Sequence, residues 1–185
     1  MTDINQLLDE LIEREGGYSD HPADRGGPTR WGVTQAVARA NGYSGDMRHF
    51  PAERAKDIYK ERYWRAPGFA AVAEHAPGIA AELFDTGVNM GTGVAGAFLQ
   101  RALNALNRNG RDYPDMPADG RIGPVTLSAL RAFLKVRGGT GEAVLLKAIE
   151  ALQGERYIAL AESRPANEAF LYGWIANRIG QSCRS

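Results

Sequence analysis

Three observations predict a mainly α fold, an α+β bundle of helices with one small β-hairpin. First, apolar residues recur at helical spacing over most of the chain, from Ile4, Leu7, Leu8, Leu11 and Ile12 to Leu145, Ile149, Leu152 and Leu160. Second, that period fails in one tract, Ser19 to Thr34, where Gly and Pro pairs flank short polar and β-branched pieces, the chemistry of turns and a hairpin. Third, 185 residues of ordinary apolar, charged and glycine content suffice for one full core or two small ones.

The elements follow in order. Asp3 is placed to cap the first helix, with Gln6 three residues on in a capping-box pattern. Gly16-Gly17 stops that helix as a left-handed cap would. After the hairpin tract, Thr34 caps a short helix that ends at Asn41-Gly42. Pro51 suits a first helical position, and Ala52 to Trp64 reads as a helix rich in aromatics that Pro67-Gly68 breaks. Gly78 to Met90 is helical, with Ile79, Leu83 and Phe84 inward. Gly91-Thr92-Gly93 punctuates the chain before a helical stripe from Val94 to Asn107. A long polar loop to Gly123 follows. Pro124 to Val136 is a helix that Gly138-Gly139 ends, Glu142 to Glu162 is a long one, and the last runs from Asn167 to Ile179. No repeat or flexible linker interrupts the series. Two sequence modules are expected, 1–91 and 92–185, packed as one body with a cleft between them.

Glu15 is the residue with chemistry to explain. It lies four positions past Leu11 and so continues the apolar stripe, at the negative end of the helix dipole. Half-burial there would disfavour the carboxylate and hold the acid protonated near neutral pH, as a general acid requires. A helix that merely ends in Glu-Gly-Gly is the plain alternative. The hairpin tract shifts the balance, because it brings a carboxylate, Asp24, and a hydroxyl, Thr29, back toward the helix end. An acid facing a carboxylate and a hydroxyl is a glycosidase layout. Tyr18 and Trp31 flank the acid and are the cleft candidates among the aromatics; for most of the others core packing is the better reading.

These residues carry a resemblance. The run Glu15-Gly16-Gly17-Tyr18, then His21-Pro22-Ala23-Asp24-Arg25-Gly26-Gly27-Pro28-Thr29 and Trp31-Gly32-Val33-Thr34, resembles family 108 glycoside hydrolases, lysozyme-like muramidases of phage endolysins and related secretion-activating proteins. Tyr59-Lys60-Glu61-Arg62-Tyr63-Trp64 and Phe84-Asp85-Thr86-Gly87-Val88-Asn89-Met90-Gly91 extend it. Asp119-Gly120-Arg121-Ile122-Gly123-Pro124 and Phe170-Leu171-Tyr172-Gly173-Trp174 resemble the type 3 peptidoglycan-binding region that usually follows. The resemblance implies a lysozyme-like fold and a peptidoglycan hydrolase cutting between N-acetylmuramic acid and N-acetylglucosamine. It implies Glu15 as catalytic acid, with Asp24 and Thr29 as partners by analogy with phage lysozymes. The rivals are a lytic transglycosylase and a non-catalytic peptidoglycan-binding or secretion-accessory protein.

Composition narrows the partners. A formal net charge of zero argues against nucleic acid, which demands a basic face. One cysteine, Cys183, rules out a disulfide within the chain. The start Met1-Thr2-Asp3-Ile4-Asn5 lacks the pattern of a signal peptide, and no segment is apolar enough to span a bilayer. A cytoplasmic product is expected, a monomer that reaches peptidoglycan through a holin or an export route. His21, His49 and His75 are scattered without ligand spacing, so neither metal nor cofactor is expected; calcium in the acidic 112–120 loop is a minor alternative. Gly91-Thr92-Gly93-Val94-Ala95-Gly96 spells GxGxxG but follows no strand, so close packing or approach of a sugar to backbone is the better use. Asp85 sits among apolar neighbours and is either paired or facing the cleft. Asn89, one turn on, shares its surface, and both are candidate substrate contacts.

Overall fold

A computed structural model describes residues 3–20 and 27–180, and the chain divides into two units, Met1–Ala66 and Pro67–Ser185. In the first unit, α1 (Ile4–Glu15) begins where the Asp3 carboxylate accepts the Asn5 N–H at 3.0 Å. The capping box does not close. Gln6 instead donates to Glu10 one turn on, at 3.1 Å. Leu8, Leu11 and Ile12 are buried, and each such side chain contributes about 1.5–3 kcal/mol over an exposed one. The helix stops at Gly16 with φ 77°, its N–H returning to the Ile12 carbonyl.

The hairpin tract forms a three-stranded antiparallel sheet, one strand more than the sequence suggested. Its strands are β1 (Tyr18–Ser19), β2 (Thr29–Arg30) and β3 (Val33–Thr34), in that order. The register pairs Ser19 with Thr29 and Arg30 with Val33, so β2 is central and only Trp31 and Gly32 connect it to β3. Both connecting residues have positive φ, 53° and 71°. That is the mirror-image turn whose twist matches a two-residue hairpin.

Thr34 then accepts the Val37 N–H at 3.3 Å and caps α2 (Gln35–Ala40). A 3₁₀ turn, Met47–His49, leads to α3 (Ala52–Lys60), which Pro51 precedes as the cap residue rather than as its first helical position. The helix continues into a π turn, Glu61–Arg65. Lys56 fastens α3 to α1 through Asp9 at 2.5 Å.

The second unit is helical: α4 (Phe69–Ala73), α5 (Pro77–Met90), α6 (Thr92–Leu106), α7 (Pro124–Arg137), α8 (Gly141–Ser163) and α9 (Glu168–Arg178). The sequence did not reveal α4, because five residues are too few to display a period; Phe69 and Val72 are nevertheless fully buried. Helix α5 runs alongside α8 in the same direction through a polar seam. Glu142 accepts the Gly78 N–H at 2.8 Å, buried Gln153 donates to buried Thr86 at 2.7 Å, and Asn89 donates to the Tyr157 hydroxyl.

The 107–123 loop is tied to α6 by three amides. Gln100 donates to the Asp119 carboxylate and the Arg121 carbonyl and accepts the Gly120 N–H; Asn104 brackets Met116; Asn107 holds Tyr113 and Asp115. The second and third glycines of the GxGxxG run, Gly93 and Gly96, serve this crossing. A Cβ on Gly96 would overlap the Gly120 carbonyl, and one on Gly120 would overlap that of Gly93. Gly120→Ala should therefore destabilise more than Gly110→Ala, whose φ of 75° is similar to 77° at Gly120 but which has open space around it. Urea midpoints should separate the pair by at least about 1 kcal/mol, beyond the roughly 1–2 kcal/mol each loses to its backbone conformation. Equal losses would remove the crowding from the account.

Among the described residues no helix is long and apolar enough to cross a membrane.

Candidate active site

The first unit brings Glu15, Tyr18, Thr29 and Trp31 onto α1 and the adjoining sheet. Asp24 and His21, which fall between β1 and β2 in sequence, lie outside the described residues, and so does Cys183 near the end of the chain. Asp85 and Asn89 belong to the second unit.

Glu15 is the last residue of α1, and its side chain is exposed rather than half-buried. Leu11 and Ile12 end the packed part of the stripe; by Glu15 the helix has left the core, and Gly16 turns the chain away. What Glu15 faces is the Trp31–Gly32 turn. A Cβ on Gly32 would lie 2.7 Å from Glu15 Oε2 and in steric overlap with the Tyr59 hydroxyl. The carboxylate and the phenol therefore converge on one point, and only a glycine leaves them room. A left-handed turn in the sheet and an aromatic from α3 thus define the inner wall behind the acid.

Tyr59 was hidden in the sequence among core aromatics. It is 8% exposed, stacks on Tyr63 with ring centroids 5.7 Å apart, and carries no charge of its own in the neutral range. Burial, then the adjacent Glu15 carboxylate and then Tyr63, push its phenol up to about 12. Its sequence signal is its place at the head of the run Tyr59 to Trp64 that extends the family resemblance, and the π turn Glu61–Arg65 lies within that run. Such turns often mark functional sites.

Thr29 is half-exposed on the central strand, and its hydroxyl donates to the Gly27 carbonyl at 3.2 Å. That leaves its lone pairs open to a donor such as water. Trp31 is half-buried and anchored by its indole N–H to the Phe50 carbonyl at 3.1 Å, with the Arg30 guanidinium 5.2 Å from its ring. Tyr18 is exposed; its hydroxyl donates to Asp20 at 3.0 Å, and Arg48 lies 5.8 Å from its ring.

In the second unit Asp85 meets the paired alternative, accepting from Arg178 at 2.7 Å, and Asn89 is engaged with Tyr157. Both side chains thereby take part in packing α5 against α8 and α9. The acidic loop is likewise partnered: Asp112 with Arg108, Asp115 with Asn107, Asp119 with Gln100 and the Arg121 N–H. Among the described residues no group of His, Cys, Asp and Glu is placed to hold a metal ion.

Comparison with known proteins assigns both halves. Residues 8–91 match the Glycosyl hydrolase 108 family, and residues 94–179 match the Predicted Peptidoglycan domain. The hydrolase match runs past the first structural unit and takes in α4 and α5. No curated protein sequence matches the chain. Among solved structures, one described as the structure of Brucella abortus SagA is similar, with a TM-score of 0.62 and 22% identity, covering 94% of this chain and 87% of that one. At that identity the likeness concerns the fold.

Proposed function

We propose, from the match of residues 8–91 to the Glycosyl hydrolase 108 family and of residues 94–179 to the Predicted Peptidoglycan domain, that this protein hydrolyses peptidoglycan glycan strands between N-acetylmuramic acid and N-acetylglucosamine. The observation that supports this reading is the exposed Glu15 carboxyl, backed by Gly32 and Tyr59 and open to a ligand. In this reading Glu15 protonates the glycosidic oxygen, the C–O bond breaks, and the leaving sugar departs with the proton as its hydroxyl. Positive charge develops on the anomeric carbon and ring oxygen. Asp24 stabilises that charge or directs a water to it, and Thr29 holds the water. Tyr18 and Trp31 bound the sugar-binding surface. Asp85 and Asn89, which also engage Arg178 and Tyr157, are read as substrate contacts belonging to the second unit itself.

Mass spectrometry of products from purified cell walls tests the reading. A reducing N-acetylmuramic acid end that has gained one water is expected. A 1,6-anhydro end would make the protein a lytic transglycosylase, and binding without cleavage would make it an accessory protein. Within the hydrolase reading, Asp24→Asn should cost at least about tenfold more turnover than Asp20→Asn, because Asp20 is engaged by Tyr18. Greater sensitivity at Asp20 would reverse the choice of second carboxylate.

A further inference from the structure

We propose that the cleft between β1, α2 and the segment leading to the 3₁₀ turn binds the peptide stem that muramic acid carries, with Arg39 as the receptor for a stem carboxylate. The inference rests on the reading of the chain as a peptidoglycan hydrolase and adds to it which part of the substrate the first unit grips beside the glycan.

The cleft lies wholly within the first unit. It encloses about 390 Å³, and Tyr18, Asp20, Gln35, Arg39, Ser44 and Arg48 are among the residues that line it. Local structure puts them there. Thr34 caps α2, so Gln35 begins the helix and Arg39 follows one turn later on the same side. Arg39 is then fixed from beyond the helix. It donates through Nη1 to the Tyr43 carbonyl at 2.8 Å, and the Tyr43 hydroxyl donates to the Asp46 carbonyl at 2.8 Å. From the sheet comes Tyr18, its hydroxyl bonded to Asp20 at 3.0 Å and its ring 5.8 Å from the Arg48 guanidinium.

The charges in the cleft are unequally matched. Asp46 accepts the Arg48 N–H at 2.8 Å and lies 3.6 Å from its guanidinium, so those two satisfy each other. Arg39 has no such partner. Among the described residues no carboxylate pairs with it, and its bond to Tyr43 leaves most of its N–H donors for a ligand. A guanidinium in that state takes a carboxylate through two parallel hydrogen bonds. Asp20 accepts from Tyr18 through Oδ2, which leaves Oδ1 for an amide N–H. A strand of N-acetylated sugars offers hydroxyls and acetamides but no charge, because the lactyl carboxyl of muramic acid is consumed in its amide bond to the stem. The carboxylates of peptidoglycan lie on its stems, beside the amide N–H groups that Asp20 would accept. Tyr18 joins the two regions: it bounds the proposed sugar surface and also lines the cleft.

The test uses the full chain and two soluble probes: the disaccharide of N-acetylglucosamine and N-acetylmuramic acid bearing its peptide stem, and the same disaccharide without the stem. Calorimetry should show the stem-bearing probe bound at least about tenfold more tightly. The second unit matches a peptidoglycan domain and can hold a stem as well, so variants in the cleft locate the effect. Arg39→Gln should bring the two probes to within about twofold of each other, by removing the charge-assisted bonds. Ser44→Glu sets a competing carboxylate on an exposed lining residue with no hydrogen bond to lose. It should weaken the stem-bearing probe at least about threefold and leave the bare disaccharide unchanged, which keeps the test decisive if Arg39→Gln folds poorly. On glycan strands stripped of stems by an amidase, KM should rise about tenfold with kcat within about twofold, the mark of lost binding rather than lost chemistry. Equal binding of the two probes, or a preference that survives in folded Arg39→Gln and Ser44→Glu, overturns the proposal. Failure to cleave strands of either kind overturns the hydrolase reading instead, while the calorimetry still reports whether the cleft takes the stem.

Discussion

Glu15→Gln leaves the circular-dichroism spectrum and thermal midpoint unchanged and lowers glycan cleavage at least about 100-fold. The two halves of this expectation have separate causes. Stability should not move, because the side chain is exposed and follows Leu11 and Ile12, the last buried residues of α1. The amide matches the carboxyl in shape and fits the same space against Gly32. Activity should collapse, because an amide has no acidic proton to give the departing sugar oxygen. Zymography with purified cell walls, normalised to folded protein, is the measurement. Substantial turnover in the folded variant would remove Glu15 from the mechanism.

Gly32→Ala is expected to damage both properties, and activity more than stability. Alanine at φ 71° costs roughly 1–2 kcal/mol in a left-handed conformation. Its methyl would also overlap the Tyr59 hydroxyl and stand 2.7 Å from Glu15 Oε2. Of the two groups, the Glu15 side chain moves more cheaply, since the phenol is buried. Turnover should fall by more than about tenfold as the carboxyl is displaced. Combining the change with Tyr59→Phe gives a diagnostic. Removing the hydroxyl makes room for the methyl, so the double variant should be more stable than the sum of the single losses predicts. Strict additivity in urea unfolding would mean that the methyl and the hydroxyl never meet.

The helices could be read from the sequence because each one declares itself locally. Asp3 and Thr34 cap α1 and α2 as their side chains allow, and Pro124 and Gly138 bound α7. A period of 3.6 and a stop signal need no knowledge of the rest of the chain. Contacts between distant segments leave no such trace. Gly32 and Tyr59 stand in runs that resemble the family, but nothing in the sequence announces that, seventeen and forty-four residues away, they converge with Glu15. The expectation of half-burial failed for the same reason: a periodic stripe tells which face of a helix is apolar, but not where the neighbouring element ends. Asp85 was ambiguous because its partner, Arg178, lies near the other end of the chain. The three-stranded sheet was blurred by strands of two residues, too short for alternation to show.

The amides of α6 have a consequence for how the second unit tolerates change. Gln100, Asn104 and Asn107 recur at intervals of four and three, so they form a single row on one side of the helix. The shape of the 107–123 segment is therefore set in large part from α6, with further ties at Arg108–Asp112 and where Ile122 meets Gly68. The vulnerable register is the helix itself. One residue inserted between Gln100 and Asn107 would rotate the later anchors by about 100° and withdraw them from the backbone they hold, undoing a loop whose own sequence had not been touched.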